Sequence, residues 1–168
     1  TFFEENKIFS NNDVIRMFNH QYSMLICATI MEGSYFGRTT KIDSYLKKYN
    51  DGFSSYKLIL KKLINSISII NKFKFSKRSY WFNKANLFTL LVEFNDVNVN
   101  EIDLDLLELK LLDLENKFDI YYNGDEEEVK KLTPDESRYF EVARQGSNAS
   151  ASREHRGAVI RKLIEESI

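Results

Sequence analysis

The chain has 168 residues, 43% of them hydrophobic, with 24 Lys and Arg against 25 Asp and Glu for a formal net charge of −1. That is the length of one domain with enough apolar residues for a core, and the near-neutral balance excludes a global pull toward nucleic acid or an acidic membrane. Any binding of polyanions has to come from a local patch.

Cys27 is the single cysteine, so no internal disulfide can form, which fits a reducing cytoplasm; in its apolar run, residues 24–31, it reads as a small buried hydrophobe. The opening TFFEENKIF carries acids where a signal peptide carries cations. The longest apolar run is far short of the ~20 residues that span a membrane. The expectation is a cytoplasmic chain with no membrane attachment. Its first residue is Thr1 rather than Met, which is what a fragment, a processed chain or a chain preceded by a leader would show.

Residues 10–33 form the first predicted helix. Ser10 and Asp13 make a weak capping box and Gly33 stops the run. Ile15, Phe18, Tyr22, Leu25 and Thr29 share a face that Val14, Met17 and Ile26 widen, and His20 reads as a surface or satisfied side chain. After a turn over 34–38, Thr39 or Thr40 is expected to cap a short helix with Ile42, Tyr45, Leu46 and Tyr49 inward, closed by the turn Asn50-Asp51-Gly52. A third helix covers 53–71, with Leu60, Leu63, Ile64, Ile67 and Ile70 on its buried face and Lys57, Lys61 and Lys62 in solvent.

Residues 72–81 alternate, as a short strand or an extended connector would. Lys72, Lys74, Lys77 and Arg78 interleave with Phe73, Phe75, Tyr80 and Trp81. Such a mixture can hold single strands by charge and stacking; the favoured reading is a connector whose aromatics pack on neighbours. Asn83 or Asn86 then opens a helix through Phe94. Residues 101–122 are dense in leucine. Leu104, Leu107, Leu111, Leu114 and Phe118 make one seam, and Leu106, Leu109 and Leu112 a second, so this helix is expected at the centre, buried deeply or on two sides. Asn123-Gly124 is a turn, and the acidic run 125–128 reads as a solvated first turn rather than a metal site.

The last thirty-six residues hold two helices. Thr133, Pro134 and Glu136 form a capping box with proline at the first helical position. Tyr139 or Phe140, Val142 and Ala143 make the apolar face, and Gly146 the stop. Residues 147–150 form a small polar loop, Ser150 or Ser152 caps the next helix, and Val159, Ile160, Leu163, Ile164 and Ile168 give it a buried stripe. The whole reads as an all-α fold, one domain over 1–168, of about six or seven helices in a single compact bundle ending in a helical hairpin hinged at 146–150.

No catalytic constellation is visible. There is no glycine-rich phosphate loop, and neither His20 nor His155 has a ligand-spaced partner, so no metal site, cofactor or catalytic residue is expected. What stands out is an arginine cluster, Arg138, Arg144, Arg153, Arg156 and Arg161. The candidate nucleic-acid contacts are Arg144, Arg153, Arg156 and Arg161, together with Lys77 and Arg78. Arg153 and Arg156 fall in the first turns of a predicted helix, where the dipole is already positive, so they need an anionic partner. An internal carboxylate, Asp135, Glu136 or Glu141, is favoured; a bound phosphate is the other possibility.

Tyr139-Phe140-x-x-Ala143, the small polar hinge, Ser152-Arg153-x-x-Arg156 and Ile160-x-x-Leu163-Ile164 resemble the C-terminus of the GmrSD-type restriction endonuclease N-terminal-domain family. Upstream, Lys41-Ile42-Asp43-Ser44-Tyr45, Tyr49-Asn50-Asp51 and Asn86-Leu87-Phe88-Thr89-Leu90-Leu91 are similar to that family in order, so the likeness covers nearly the whole chain through loose motifs. The resemblance implies a bacterial defence protein whose nucleotide-dependent ParB/sulfiredoxin-like catalytic domain, with a D-G-Q-Q-R type motif, lies N-terminal to this helical part. Neither that motif nor the H-N-H nuclease of larger members occurs here. On this reading the chain is a non-catalytic accessory domain serving assembly or DNA engagement beside a catalytic domain or partner chain. The alternative is a stand-alone helical interaction module, such as a homodimer.

Overall fold

The computed structural model describes residues 1–37 and 40–168. The described residues form α-helices joined by turns, with one 3-10 turn at Tyr80–Phe82 and no strand. In order the helices are α1 Phe2–Glu5, α2 Asn11–Ile15, α3 Phe18–Glu32, α4 Thr40–Lys48, α5 Tyr56–Ile70, α6 Lys84–Glu93, α7 Leu104–Asn123, α8 Glu126–Val129, α9 Pro134–Arg144 and α10 Ser150–Glu165.

The all-helical class is as expected, but the ten helices exceed the six or seven read from periodicity. The excess comes from single turns and from one break. The Ser10 capping box closes, with Ser10 N–H donating to Asp13 Oδ2 at 2.8 Å and Asp13 N–H to Ser10 Oγ at 3.2 Å. The chain then turns at Met17, which takes φ +57°, so the predicted helix 10–33 is two helices. Nothing in the local sequence marks that break, since a left-handed conformation is uncommon for a non-glycine residue. In consequence Val14, Ile15 and Met17 point to solvent rather than widening a buried face. The side-chain cap expected of Thr39 or Thr40 lies outside the described residues.

The centre is α6, not the leucine-dense helix. Every residue from Asn86 to Val92 in α6 is buried, and α3, α5, α9 and α10 pack around it. Asn83 caps it, its Oδ1 accepting from Asn86 N–H at 3.0 Å. Asn86, itself buried, donates to Tyr80 O at 3.1 Å and accepts from the Tyr139 hydroxyl at 3.1 Å, tying α6 to the 3-10 turn and to α9. A buried amide that is satisfied on both sides fixes its neighbours in one arrangement.

α7 covers one flank. Leu107, Leu111 and Leu114 are buried as the first seam predicts, whereas Leu106 and Leu109 of the second seam face solvent. On α5 the buried face is Ile59, Ser66, Ile69 and Ile70, and two members of the predicted face, Leu60 and Ile64, are exposed. The connector 72–79 is neither strand nor free linker. Glu108 of α7 accepts from Lys74 N–H, and Glu115 accepts from Ser79 Oγ at 2.8 Å and Tyr80 N–H at 2.6 Å. Its aromatics pack inward, with Tyr80 stacked on Phe118 at 3.9 Å and Phe75 against Trp81.

The C-terminal hairpin forms as read. Thr133 Oγ1 accepts from Glu136 N–H at 3.2 Å while Glu136 Oε2 accepts from Thr133 N–H at 2.8 Å. Gly146 takes φ +63° in the hinge, which glycine adopts without steric cost. The cap of α10 differs: the N-cap residue is Ala149, and Ser150 Oγ instead donates to Tyr35 O at 3.2 Å. Ile160 is buried, while Ile168, the last of the predicted stripe, is exposed.

Candidate functional site

Two helices position the site. α10 lies across α6 and alongside α9, and its inward stripe is Arg153, Arg156, Gly157 and Ile160. Two arginines therefore enter the interior at the start of a helix. Arg153 is 2% exposed and Arg156 1%. A buried guanidinium has to find acceptors for its five N–H groups.

Arg156 finds them in three places. Nε donates to Thr89 Oγ1 of α6 at 3.3 Å, Nη1 to Val142 O in the last turn of α9 at 2.7 Å, and Nη2 to Ser147 O in the hinge at 3.0 Å. The carbonyls at a helix C-terminus lack intrahelical donors and carry the negative end of the dipole. Arg156 thus closes the end of α9 from the following helix. Burial pulls its pKa below the ordinary arginine value, and a guanidinium stays charged at neutrality all the same. Arg153 donates through Nη1 to Phe36 O at 3.0 Å and through Nη2 to Asn148 Oδ1 at 3.3 Å, and its guanidinium lies over the Phe88 ring at 5.0 Å.

The carboxylates expected to pair with these arginines do other work. Glu136 pairs with Lys117 at 2.8 Å, and neither Asp135 nor Glu141 forms an ion pair among the described residues. The hairpin is bridged internally, but the observed acceptors are carbonyls, a hydroxyl and an amide. A cation at a helix start does need an electron-rich partner, and for Arg156 the carbonyl end of the preceding helix supplies it.

Beside the two arginines lies a cavity of about 550 Å³. Arg153 and Arg156 form part of its wall, Tyr22 and Phe88 another part, and Lys84 and Asp13 stand at it as a 2.8 Å ion pair. The Tyr22 hydroxyl donates to Lys84 O at 2.9 Å. Among the described residues no group of His, Cys, Asp and Glu has metal-site geometry. Asp43 lines the cavity as well, so its wall carries both signs of charge next to an aromatic surface.

The other candidate residues lie elsewhere. Arg161 pairs with Glu93 at 2.8 Å and Glu154 at 2.5 Å. Glu93 also accepts from the Tyr35 hydroxyl at 2.6 Å, and burial pushes its carboxyl above the ordinary value despite the opposing pulls of Tyr35 and Arg161. Arg144 is exposed, its guanidinium over the Tyr122 ring at 4.9 Å. Lys77 and Arg78 are exposed on the connector before the 3-10 turn. The structure brings Arg153 and Arg156 to one cavity and sets Arg161, Arg144 and the Lys77–Arg78 pair in separate surroundings.

Thr89, Phe88, Glu93 and Gly157 also border these arginines or α10, though none was a candidate site residue from the sequence. Only Gly157 left a signal, a glycine in mid-helix where it costs about 1 kcal/mol relative to alanine. A Cβ there would run into Glu93 and Tyr35. No family model matches the chain, and no curated protein or solved structure is similar enough to count as a relative.

Proposed function

We propose that this chain is a non-catalytic helical accessory module of a bacterial, restriction-like defence protein, and that it works by assembly with another chain or domain. The supporting observation is the outer face of α5. Tyr56, Leu60 and Ile64 recur at i, i+4 and i+8 and are 52%, 51% and 53% exposed. Spaced four apart, they align on one side of the helix and make an apolar stripe in water. Lys57 and Lys61 flank it. Contiguous exposed apolar surface on a helix is the usual mark of an interface. The resemblance of the arginine hinge and the upstream motifs to the restriction family supplies the biological setting.

The test is the double substitution Leu60→Glu and Ile64→Glu in the protein of the full reading frame. Both side chains are half exposed, so the melting temperature is expected to stay within about 2 °C of wild type. Light scattering is expected to show a concentration-dependent assembly for wild type and none for the variant. An identical mass for both proteins at all concentrations sinks this reading.

DNA engagement is the second reading, and the connector favours it. Lys72, Lys74, Lys77 and Arg78 are all exposed there. Phe73, Tyr80 and Trp81 are buried, so such contacts would be to phosphates rather than stacked bases. Replacing all four cations by Gln is then expected to flatten the salt dependence of duplex binding; an unchanged slope counts against it.

A further inference from the structure

α7 turns a second apolar face to water. Leu106 and Leu109 are exposed there, three residues apart and so neighbours on the helix surface. Asp105 and Asp113 stand four residues before and after Leu109, and both are exposed, so they bracket it along one row. Asp105 forms no ion pair among the described residues, and Asp113 shares the one ammonium of Lys117 with Glu136. This face is apolar and negative. The outer face of α5 is its converse. Tyr56, Leu60 and Ile64 run beside Lys57 and Lys61, and the helix holds no Asp or Glu. Lys62 pairs with Asp96, whereas Lys57 and Lys61 form no ion pair among the described residues. Both faces are open in the same chain, and the helices that bear them pack on different neighbours, α5 on α3 and α6, α7 on α8, α9 and α10.

We propose that the α5 face docks on the α7 face of a second copy of this chain, head to tail, with Leu109 against the Leu60–Ile64 stripe and Asp105 and Asp113 toward Lys57 and Lys61. This rests on the assembly reading above and names its partner. Charge complementarity selects the pairing. The α5 face against itself would set lysines against lysines, and the α7 face against itself aspartates against aspartates; only α5 against α7 sets opposite charges around an apolar centre. Such a contact is heterologous. Each pair of chains keeps one free face of either kind, so association passes the dimer and continues into a ring or an open row.

The test uses light scattering on the protein of the full reading frame. For wild type, the mass is expected to rise past that of a dimer with concentration. Raising sodium chloride from about 50 mM to about 500 mM is expected to weaken the association by about tenfold, because salt screens opposite charges. A contact of either face with itself would tighten instead. Two variants then separate the faces. One carries Leu60→Glu with Ile64→Glu. The other carries Leu106→Gln with Leu109→Gln, which removes the apolar contact from α7 and keeps good helix formers. Each alone is expected to stay a monomer. Mixed, they are expected to form a complex of two chains that does not grow, since one intact face of each kind remains. An α7 variant that assembles as wild type does, or a wild-type association that tightens with salt, overturns the proposal and leaves assembly through α5 standing. A wild type that stays monomeric throughout sinks both. The salt series needs no variant, so it decides the matter even if the α7 variant fails to fold.

Discussion

Gly157 decides how closely α10 can lie on α6. A Cβ there would meet Glu93 Oε1 and sit 2.5 Å from Tyr35 Cε2. Helix propensity favours alanine by about 1 kcal/mol, but overpacking against two buried side chains costs about 1–3 kcal/mol. The steric side is expected to win, so Gly157→Ala should lower stability by about 1–2 kcal/mol in urea unfolding. A second single-residue prediction concerns Glu136. Partial burial alone would raise its pKa, but bonds from Lys117 and Thr133 outweigh it and hold the carboxyl below the ordinary 4.5. A depressed native pKa stabilises above the unfolded value and loses that contribution as pH falls through the native one. Wild type should therefore exceed Glu136→Gln by about 0.5–1 kcal/mol near neutrality. That gap should close progressively below the unfolded value in a pH series of urea melts; a gap that widens on acidification contradicts the sign. The two residues differ in legibility for a physical reason. The Thr133–Glu136 box is local, so sequence spacing specifies it, whereas what faces Gly157 comes from positions 35 and 93.

At the scale of elements, α7 shows where a hydrophobic pattern stops being informative. Its two leucine stripes look alike in sequence, yet Leu111 is 0% exposed and Leu109 64%. Leu111→Ala is expected to cost about 2–5 kcal/mol, since it opens a cavity in the core. Leu109→Ala is expected to stay within about 0.5 kcal/mol. Equal costs for the two in matched urea melts would mean that α7 is packed on both sides. Periodicity locates a helix and counts its apolar faces; it cannot tell which face meets the core and which meets water or a partner. The same ambiguity misplaced the inner face of α5, where Leu60 and Ile64 are exposed while Ile59 and Ser66 are buried. The break between α2 and α3 escaped for another reason, because no glycine or proline stands at Met17 to announce it.

For the whole molecule, the order of helices, the hairpin and its hinge were legible, and the choice of central element was not. α6 is only ten residues long, and a short apolar run gives no sign that four other helices surround it. The arginine pair was half legible. Electrostatics at a helix start said that Arg153 and Arg156 need electron-rich partners, and composition suggested carboxylates because those are abundant. The fold supplies carbonyls from Phe36, Val142 and Ser147 instead, and these are invisible in a residue string because every residue has one. The chain is also closed on itself, with Asp103 N–H donating to Ser167 O at 2.7 Å and Lys110 pairing with Glu166 at 2.7 Å. These contacts hold the end of α10 against the start of α7.

Trp81 is the single tryptophan of the chain, 0% exposed, and its indole N–H donates to Leu111 O at 3.1 Å. All intrinsic tryptophan fluorescence therefore originates at the seam between α7 and the 3-10 turn. The native emission is expected to be blue-shifted and shielded from iodide, and to move red only when α7 separates. Far-UV circular dichroism sums over every helix, including the short α1 and α2 at the periphery. On heating, the ellipticity should begin to fall before the emission shifts, with the interval between the two curves reporting how independently the N-terminal turns melt. Coincident curves would instead make the two peripheral helices part of one cooperative unit with the core, and iodide quenching in the native state would place the indole in contact with solvent.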